Sequence, residues 1–224
     1  MTSLTDKQIK AAESEWLDLW KQGPMRLRWT EVPLQVGDVA PDFELKDTSG
    51  KLVHLCDFWS NGPALILFWR HYGCSCGIDR AKLLQNEYAD YIKLGASVVV
   101  IGQGDPERSK DYSEKHSIPC PVLCDPTYRV YEAYDLLEGK PSQIIYDAPD
   151  EYLRIDYETG AQLQQSRHGT EGALVDSPWQ LPGEFVVDQS GIIRLAHRYQ
   201  HCEDWPNPSI LIPAIKESIW QNET

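Results

Sequence analysis

The stretch Ala64–Leu84, ALILFWRHYGCSCGIDRAKLL, constrains the fold of this chain more than any other segment. It opens with an uninterrupted run of branched and aromatic residues, Ala64–Trp69, which predicts a strand buried on both faces, as in a parallel sheet. Gly73 and Gly77 then bracket two cysteines, and an amphipathic helical pattern follows them. A strand, a cysteine-bearing turn and a helix are therefore expected in direct succession.

The two cysteines of this turn, Cys74 and Cys76, are expected at the N-terminus of the predicted helix. Unpaired backbone N–H groups and the positive end of the helix dipole favour a thiolate over a thiol there. Arg70 and His71 bring positive charge to the same place and are expected to lower the thiol pKa further. The pattern predicts a redox-active thiol pair.

Two other interpretations of the pair remain, namely ordinary packing and a metal site. A cysteine outside a disulfide is usually a small buried hydrophobic residue. Tetrahedral metal sites use four ligands, commonly from two paired-cysteine knuckles. The only other closely spaced pair, Cys120 and Cys124, lies in a predicted strand. No metal and no cofactor are therefore predicted.

Length and charge limit the class of protein. A chain of 224 residues favours one large domain. The formal net charge of −13 argues against nucleic acid or an anionic membrane surface as a partner. We expect neither a membrane span nor a signal peptide, because the chain has no long apolar run and its first residues are polar. The irregular spacing of the six cysteines favours a reducing cytoplasm.

Two regions are expected to lie outside the main strand-and-helix pattern. Residues 5–22 predict an amphipathic helix, capped by Thr5, whose apolar side holds Ile9, Ala12, Trp16, Leu19 and Trp20. We assign residues 1–30 to an N-terminal helical extension, which either packs on the core or contacts a second subunit in a homodimer.

Residues 138–180 are polar and have no strong period. They are expected to be an insertion, acting as a lid or as a simple surface excursion.

The remaining chain, residues 31–224 apart from the insertion, alternates between strand and helix patterns. Strands are predicted at Phe43–Lys46, Leu52–Leu55, Ala64–Trp69, Ser97–Ile101, Pro121–Leu123, Glu184–Asp188 and Ile192–Ala196. Helices are predicted after the cysteines, over 107–116 with Asp105 as its cap, over 127–135 and over about 209–220. This alternation is typical of an α/β domain with a mostly parallel sheet.

These residues carry a resemblance to the peroxiredoxin-like family, also called alkyl hydroperoxide reductase/thiol-specific antioxidant, which has the thioredoxin fold. VGDVAPDFELKDTSGKLVHL, from Val36, is similar to the first segment of those proteins, and GEFVVDQSGIIRLAHR, ending at Arg198, resembles their late strand pair. FWRHYGCSCG and WQLPGEFVVDQSG resemble the subgroup that includes prostamide/prostaglandin F synthase. The resemblance implies a thioredoxin-like α/β fold, with a mixed central sheet flanked by helices, an N-terminal helix and an insertion before the last strand pair.

The resemblance also implies a thiol-dependent peroxidase or oxidoreductase. Cys74 matches the attacking cysteine, which breaks a peroxide O–O bond and is itself converted to a sulfenic acid. Cys76 is the nearest candidate to resolve it; a small thiol such as glutathione, or a thioredoxin-type donor, would then supply electrons. Trp69 and Pro182 are expected to contact the substrate. Pro182 matches the cis-proline of the superfamily, with an ordinary loop proline as the alternative.

The chain departs from the family pattern at three points. His71 stands where a typical peroxiredoxin has threonine, and the arginine before the late strand is absent, which leaves Arg70 and Arg198 as candidates. A single residue, Ser75, separates the two cysteines, whereas the subgroup pattern has two intervening residues. Because helical residues two apart point to opposite sides, we expect a Cys74–Cys76 disulfide to need a non-helical backbone at Ser75.

A second hypothesis belongs to a different class of function. In it the chain is a non-catalytic redox sensor or interaction module of the same fold. The tryptophan-rich N-terminal helix and the insertion would then form its binding surface.

Overall fold

One seven-stranded mixed sheet organises the computed structural model, which describes residues 6–145, 149–168 and 176–220. Its order is β2-β1-β5-β4-β3-β6-β7, with β3, β4 and β5 parallel and the other pairings antiparallel. The predicted mixed sheet of a thioredoxin-like fold is confirmed, whereas the expectation of a mostly parallel sheet is wrong, because four of the six described strand pairings are antiparallel. The strands are β1 (Glu44–Asp47), β2 (Leu52–His54), β3 (Ala64–Phe68), β4 (Ser97–Gly102), β5 (Val122–Cys124), β6 (Gly183–Val187) and β7 (Ile193–Arg198).

Helices flank this sheet. They are α1 (Asp6–Gln22), α2 (Ser75–Lys93), α3 (Pro106–Lys115), α4 (Arg129–Ala133), α5 (Pro141–Ile144), α6 (Tyr157–His168) and α7 (Pro208–Trp220), with 3-10 turns at Leu55–Phe58 and Asp150–Leu153. Asp105 caps α3 as predicted, because its carboxylate accepts the Arg108 N–H at 2.9 Å. The predicted cap Thr5 and the side chain of Ile9 lie outside the described residues. Among the described helices, none is long and apolar enough to cross a membrane.

The central strand β3 separates two hydrophobic layers. All five of its residues are buried, and it runs parallel to β4. Ile66 and Phe68 face one layer, whereas Leu65 and Leu67 face the other, which also holds residues of α2 and α7. The turn that follows β3 lies at the carboxyl edge of the sheet, because β3 ends there. The helix α2 begins directly after this turn.

The segment 138–180 is more structured than its polar sequence suggests. It contains α5 and α6, and it forms a third hydrophobic cluster with α1. The ring of Trp20 stacks on Trp16 at 5.6 Å and on Trp179 at 4.5 Å between centroids. The segment lacks a strong period, as expected, but α6 still forms within it and buries Leu163 against Trp16 and Trp20 of α1.

Candidate redox site

Cys74 and Cys76 are joined by a disulfide at the start of α2. Their Cα atoms are 5.3 Å apart, within the usual range for such a bond. Cys74 has an extended backbone, with φ −83° and ψ 129°, and α2 begins at Ser75. The expectation of a non-helical Ser75 is wrong: the non-helical residue is Cys74, which precedes the helix and can therefore turn its side chain toward Cys76.

A third cysteine, which the sequence analysis did not select, packs against this disulfide. Cys202 follows β7, and it forms one buried cluster with Cys74 and Cys76, against which Trp205 packs. The three cysteines are 5%, 8% and 2% exposed, respectively. The Cys202 thiol donates to the carbonyl of Ile144 at 3.4 Å. Sequence offered no signal for it, because no other cysteine lies near Cys202 in the chain.

A small cavity of about 20 Å³ opens on Cys74. Arg70 and His71, both buried, line it together with Cys74 and Ser75. Its remaining walls are apolar side chains of α1 and of the segment 138–180, including Trp20 and Leu163. The structure thus brings two of the predicted site residues to the first cysteine. It also shows that α1 and the predicted insertion together cover that cysteine.

A second cavity, of about 10 Å³, lies on the side of Cys76. Cys76 and Cys202 line it together with Trp69, Pro182 and Trp205. Trp69 is buried, and its indole N–H donates to the hydroxyl of Tyr112 at 3.2 Å. The two residues expected to contact substrate therefore lie beside Cys76 and not in the cavity of Cys74.

The peptide bond before Pro182 is trans, since the described residues contain no cis peptide bond. The cis alternative is therefore wrong for this structure. Backbone hydrogen bonds hold both sides of the bond: Leu181 donates to Leu137 at 3.0 Å, and Tyr199 donates to the carbonyl of Pro182 at 3.1 Å. The trans form, which is the intrinsically favoured one, satisfies these partners.

The two arginines that remained as candidates occupy different places. The guanidinium of Arg70 donates to the carbonyls of Gln180 at 2.5 Å and Pro178 at 2.9 Å, and it lines both cysteine cavities. Arg198 donates instead to the carbonyls of Tyr134 and Leu34. It lines neither cysteine cavity. Of these two arginines, Arg70 is the one positioned beside the disulfide.

A buried charge network, which the sequence analysis also missed, begins one turn beyond the cysteines. Arg80 contacts Glu184 through Nε at 2.8 Å and Glu87 through Nη1 at 2.9 Å. The hydroxyl of Tyr199 donates to Glu184 at 2.6 Å. Burial by itself lowers the pKa of Arg80, but the charge of Glu184 outweighs it and holds that pKa well above the usual range. The only sequence signal was a glutamate within an otherwise apolar strand.

The thiols of Cys56, Cys120 and Cys124 have environments that raise their pKa. Burial raises the pKa of Cys120 to about 12 and also raises the pKa of Cys124. Desolvation and the nearby carboxylate of Asp42 raise the pKa of Cys56.

The ligand atoms of Asp42, His54 and Cys56 lie within 4.8 Å of one another, which makes them a set that could hold a metal ion. They already contact each other, since Asp42 accepts the Cys56 N–H at 2.9 Å and lies 3.4 Å from His54 Nδ1.

A mixed sheet with a disulfide at the junction of its central strand and the following helix defines a thioredoxin-fold thiol protein. Comparison of the sequence with known families agrees and narrows the class. The AhpC/TSA family matches residues 36–196, and the chain belongs to that family.

Individual relatives carry peroxiredoxin or thioredoxin names. Peroxiredoxin Bcp of Bacillus subtilis is 24% identical over 107 residues, which cover 48% of this chain and 68% of that protein. The thioredoxin-like protein AAED1 of Arabidopsis thaliana, named as chloroplastic, is 28% identical over 93 residues, 42% of this chain and 38% of that protein. Peroxiredoxin Bcp of Escherichia coli is 28% identical over 102 residues, 46% of this chain and 65% of that protein. The chain thus spans between 38% and 68% of the length of these relatives.

Solved structures show the same fold. Peroxidoxin BcpB of Mycobacterium tuberculosis superimposes with a TM-score of 0.57 at 16% identity, covering 84% of this chain and 97% of that one. PrxQ of Xylella fastidiosa gives a TM-score of 0.57 at 11% identity, covering 86% of this chain and 99% of that one. These likenesses establish the fold alone. The finer resemblance to the prostamide/prostaglandin F synthase subgroup is not confirmed by these matches.

Proposed function

We propose that this protein is a thiol-dependent peroxidase of the peroxiredoxin type. Cys74 attacks the peroxide and Cys76 resolves the product. The observation that carries this proposal is the Cys74–Cys76 disulfide at the N-terminus of α2, with Arg70 and His71 lining the cavity that opens on Cys74. Membership of the AhpC/TSA family supports it.

The reaction has two balanced steps. The Cys74 thiolate attacks one peroxide oxygen, the O–O bond breaks, and the other oxygen leaves as hydroxide or, after protonation, as water. The resulting sulfenic acid condenses with the thiol of Cys76, which releases water and forms the disulfide. The positive charge of Arg70, together with that of His71 when its imidazole is protonated, would favour the initial thiolate, and the N-terminus of α2 contributes in the same direction.

The size of the Cys74 cavity limits the oxidant. A volume of about 20 Å³ admits a molecule about the size of water. Hydrogen peroxide fits such a space better than a hydroperoxide with a bulky organic group. We therefore propose hydrogen peroxide as the preferred oxidant.

The electron donor, compartment and assembly belong to the same proposal. A small thiol or a thioredoxin-type protein would reduce the disulfide by thiol exchange. A reducing cytoplasm suits a chain in which Cys56, Cys120, Cys124 and Cys202 are outside any disulfide. Assembly as a homodimer is a further prediction, which light scattering of the purified protein tests.

The decisive experiment adds one equivalent of hydrogen peroxide to the reduced wild type and to the Cys74→Ser and Cys76→Ser variants, followed by intact and peptide masses. We expect the wild type to lose two hydrogens between Cys74 and Cys76. The Cys76→Ser protein should accumulate a sulfenic acid on Cys74, and the Cys74→Ser protein should not react. The Cys56→Ser variant is the matched control and should behave as the wild type.

The low exposure of the two disulfide cysteines favours a second candidate function, a non-catalytic redox sensor or interaction module. Cys74 is only 8% exposed, beneath side chains of α1 and the segment 138–180, and Cys76 is only 2% exposed. If Cys74 stays reduced while free glutathione in the same tube becomes oxidised, the peroxidase proposal fails. A sensor in which the disulfide changes the packing of that cover then becomes the better account.

A further inference from the structure

The disulfide of this protein separates two cavities. Cys74 lines the cavity with His71 and Trp20, whereas Cys76 lines the other cavity with Cys202 and Trp205. An oxidant that reaches Cys74 therefore enters from one side, and the other side of the same bond faces a third thiol. All three cysteines belong to one buried cluster.

We propose that Cys202 is a third catalytic thiol, which takes the disulfide over from Cys74 and passes it to the electron donor. This inference rests on the proposed peroxidase function. In the transfer step the Cys202 thiol loses its proton to solvent, and its sulfur attacks Cys76. The Cys74–Cys76 bond breaks, a Cys76–Cys202 bond forms, and Cys74 leaves with the electron pair as a thiolate. No external oxidant or reductant is consumed in this step, because one disulfide replaces another.

The geometry selects Cys76 as the sulfur that is attacked. Cys76 and Cys202 share a cavity, whereas the cavity of Cys74 does not include Cys202. Cys74 is also the better leaving group, because it occupies the N-cap position of α2, where the positive end of the helix dipole stabilises a thiolate. Thiol exchange proceeds faster when the leaving thiol has the lower pKa.

The chain after β7 is held in place for this role. The carbonyl of Gln143 accepts the Cys202 N–H at 3.0 Å, and Gln143 Nε2 donates to the carbonyl of Gln200 at 2.7 Å. Asp204 accepts the Gln200 N–H at 2.8 Å, which closes the loop on itself. The loop therefore presents Cys202 to α2 by backbone contacts. A serine at position 202 leaves these backbone contacts intact.

The transfer has a consequence for the catalytic cycle. It restores the Cys74 thiolate while the oxidising equivalent is held at Cys76 and Cys202. A dithiol donor then reduces the Cys76–Cys202 bond on the side of Trp205, away from the cavity of the oxidant. Entry of peroxide and exit of electrons thus use different cavities, one at Cys74 and one at Cys76.

Peptide mapping tests the proposal directly. Trypsin cleaves after Arg70, Arg80, Arg198 and Lys216, which places both Cys74 and Cys76 in the peptide 71–80 and Cys202 in the peptide 199–216. A Cys74–Cys76 bond stays within the first peptide, whereas a bond to Cys202 links the two. After one equivalent of hydrogen peroxide, followed by alkylation, we expect the wild type to give linked as well as internally bonded peptides. This measurement needs no variant, so it remains decisive if a substitution at Cys202 prevents folding.

Two variants identify the sulfur that reacts with Cys202, using diamide, an oxidant of thiols that does not depend on peroxide attack. In Cys74→Ser the linked peptides should form about tenfold faster than in Cys76→Ser, because only the former retains the Cys76–Cys202 pair. In Cys202→Ser, a single turnover with hydrogen peroxide should match the wild type. Steady-state turnover with thioredoxin should fall about tenfold. The Cys56→Ser control should match the wild type in both assays, since Cys56 follows β2 at the opposite edge of the sheet.

The outcomes separate this inference from the peroxidase proposal. Normal oxidation of Cys74, with no linked peptides and with wild-type turnover in Cys202→Ser, overturns the role of Cys202 and leaves the peroxidase proposal standing. No oxidation of Cys74 by peroxide, together with linked peptides in diamide-treated Cys74→Ser, overturns the peroxidase proposal but supports exchange between Cys76 and Cys202.

Discussion

Asp176 forms a paired ion contact with Arg108: Nη1 lies 2.7 Å from Oδ1, and Nη2 lies 2.9 Å from Oδ2. The Asp176 side chain is fully buried and also accepts the backbone N–H of Tyr72 at 3.0 Å. Tyr72 precedes Cys74 by two residues. The carboxylate therefore connects α3, the turn that carries the cysteines and the chain leading to Pro178.

Substitution of Asp176 by Asn should destabilise the protein. The variant leaves the largely buried guanidinium of Arg108 without a charged partner, and we expect a loss of about 2–3 kcal/mol in the free energy of unfolding. Urea denaturation measures this loss. The matched control is Asp79→Asn, which removes an exposed ion pair with Lys82 and should cost less than about 0.5 kcal/mol. Equal losses in the two variants would show that the buried pair contributes no more than a surface pair.

The thiols should titrate in separate ranges of pH. Burial raises the pKa of Cys120 to about 12, and Cys124 and Cys56 are also raised, so these three should remain protonated near neutral pH. We expect the ultraviolet absorbance of thiolates in the reduced protein to include a transition below the ordinary thiol pKa of about 8.5, lost in Cys74→Ser. A wild-type curve with no such transition would contradict an activated Cys74.

The raised pKa of Cys120 determines how this thiol makes the stability of the protein depend on pH. The pKa of Cys120 is higher in the folded than in the unfolded protein, so the folded state retains its proton more strongly. The resulting stability is fully present below the unfolded pKa and is lost as the pH rises through the folded value, between about 9 and 12. Cys120→Ala should make the decline of stability over this interval less steep in urea denaturation.

The close contact between α6 and α1 should not tolerate a larger residue. A Cβ atom at Gly160 would lie 2.5 Å from Cδ1 of Trp20, whose ring is held between Trp16 and Trp179. We expect Gly160→Ala to destabilise the protein by about 1–3 kcal/mol and to alter tryptophan fluorescence. Gln162→Ala, at an exposed position of the same helix, should change stability by less than about 0.5 kcal/mol. A neutral Gly160→Ala would mean that the two helices are less tightly packed.

Local patterns were sufficient to predict the core of the fold. The apolar run of β3, the turn with Cys74 and the start of α2 are contiguous, and the Asp105 cap depends on a residue three positions away. Each of these features is set by neighbours in sequence. The same holds for the hairpin of β6 and β7, where Gly191 takes a positive φ of 79° in the turn.

Features that depend on distant residues were not predictable. Arg80 and Glu184 are 104 positions apart, and Cys202 meets Cys76 only because the chain after β7 folds back onto α2. The tryptophan cluster joins α1 to Trp179 in the same way, with the indole N–H of Trp179 donating to the carbonyl of Leu19. A periodic pattern shows which face of an element is buried, but it does not identify the distant side chain that covers it.

The cover over Cys74 should determine which peroxides react. Leu163 of α6 lines the cavity of Cys74 and is buried. Leu163→Ala should enlarge this cavity and cost about 2–4 kcal/mol of stability. The rate of Cys74 oxidation by cumene hydroperoxide should then rise relative to the rate with hydrogen peroxide. Leu211→Ala is the matched control, because Leu211 is equally apolar and buried but packs in a different cluster, with residues of α2 and α7, and does not line the cavity of Cys74. It should lose similar stability and keep the wild-type ratio of rates. If both variants shift the ratio alike, general loosening of the fold and not the cover over Cys74 controls access to the thiol.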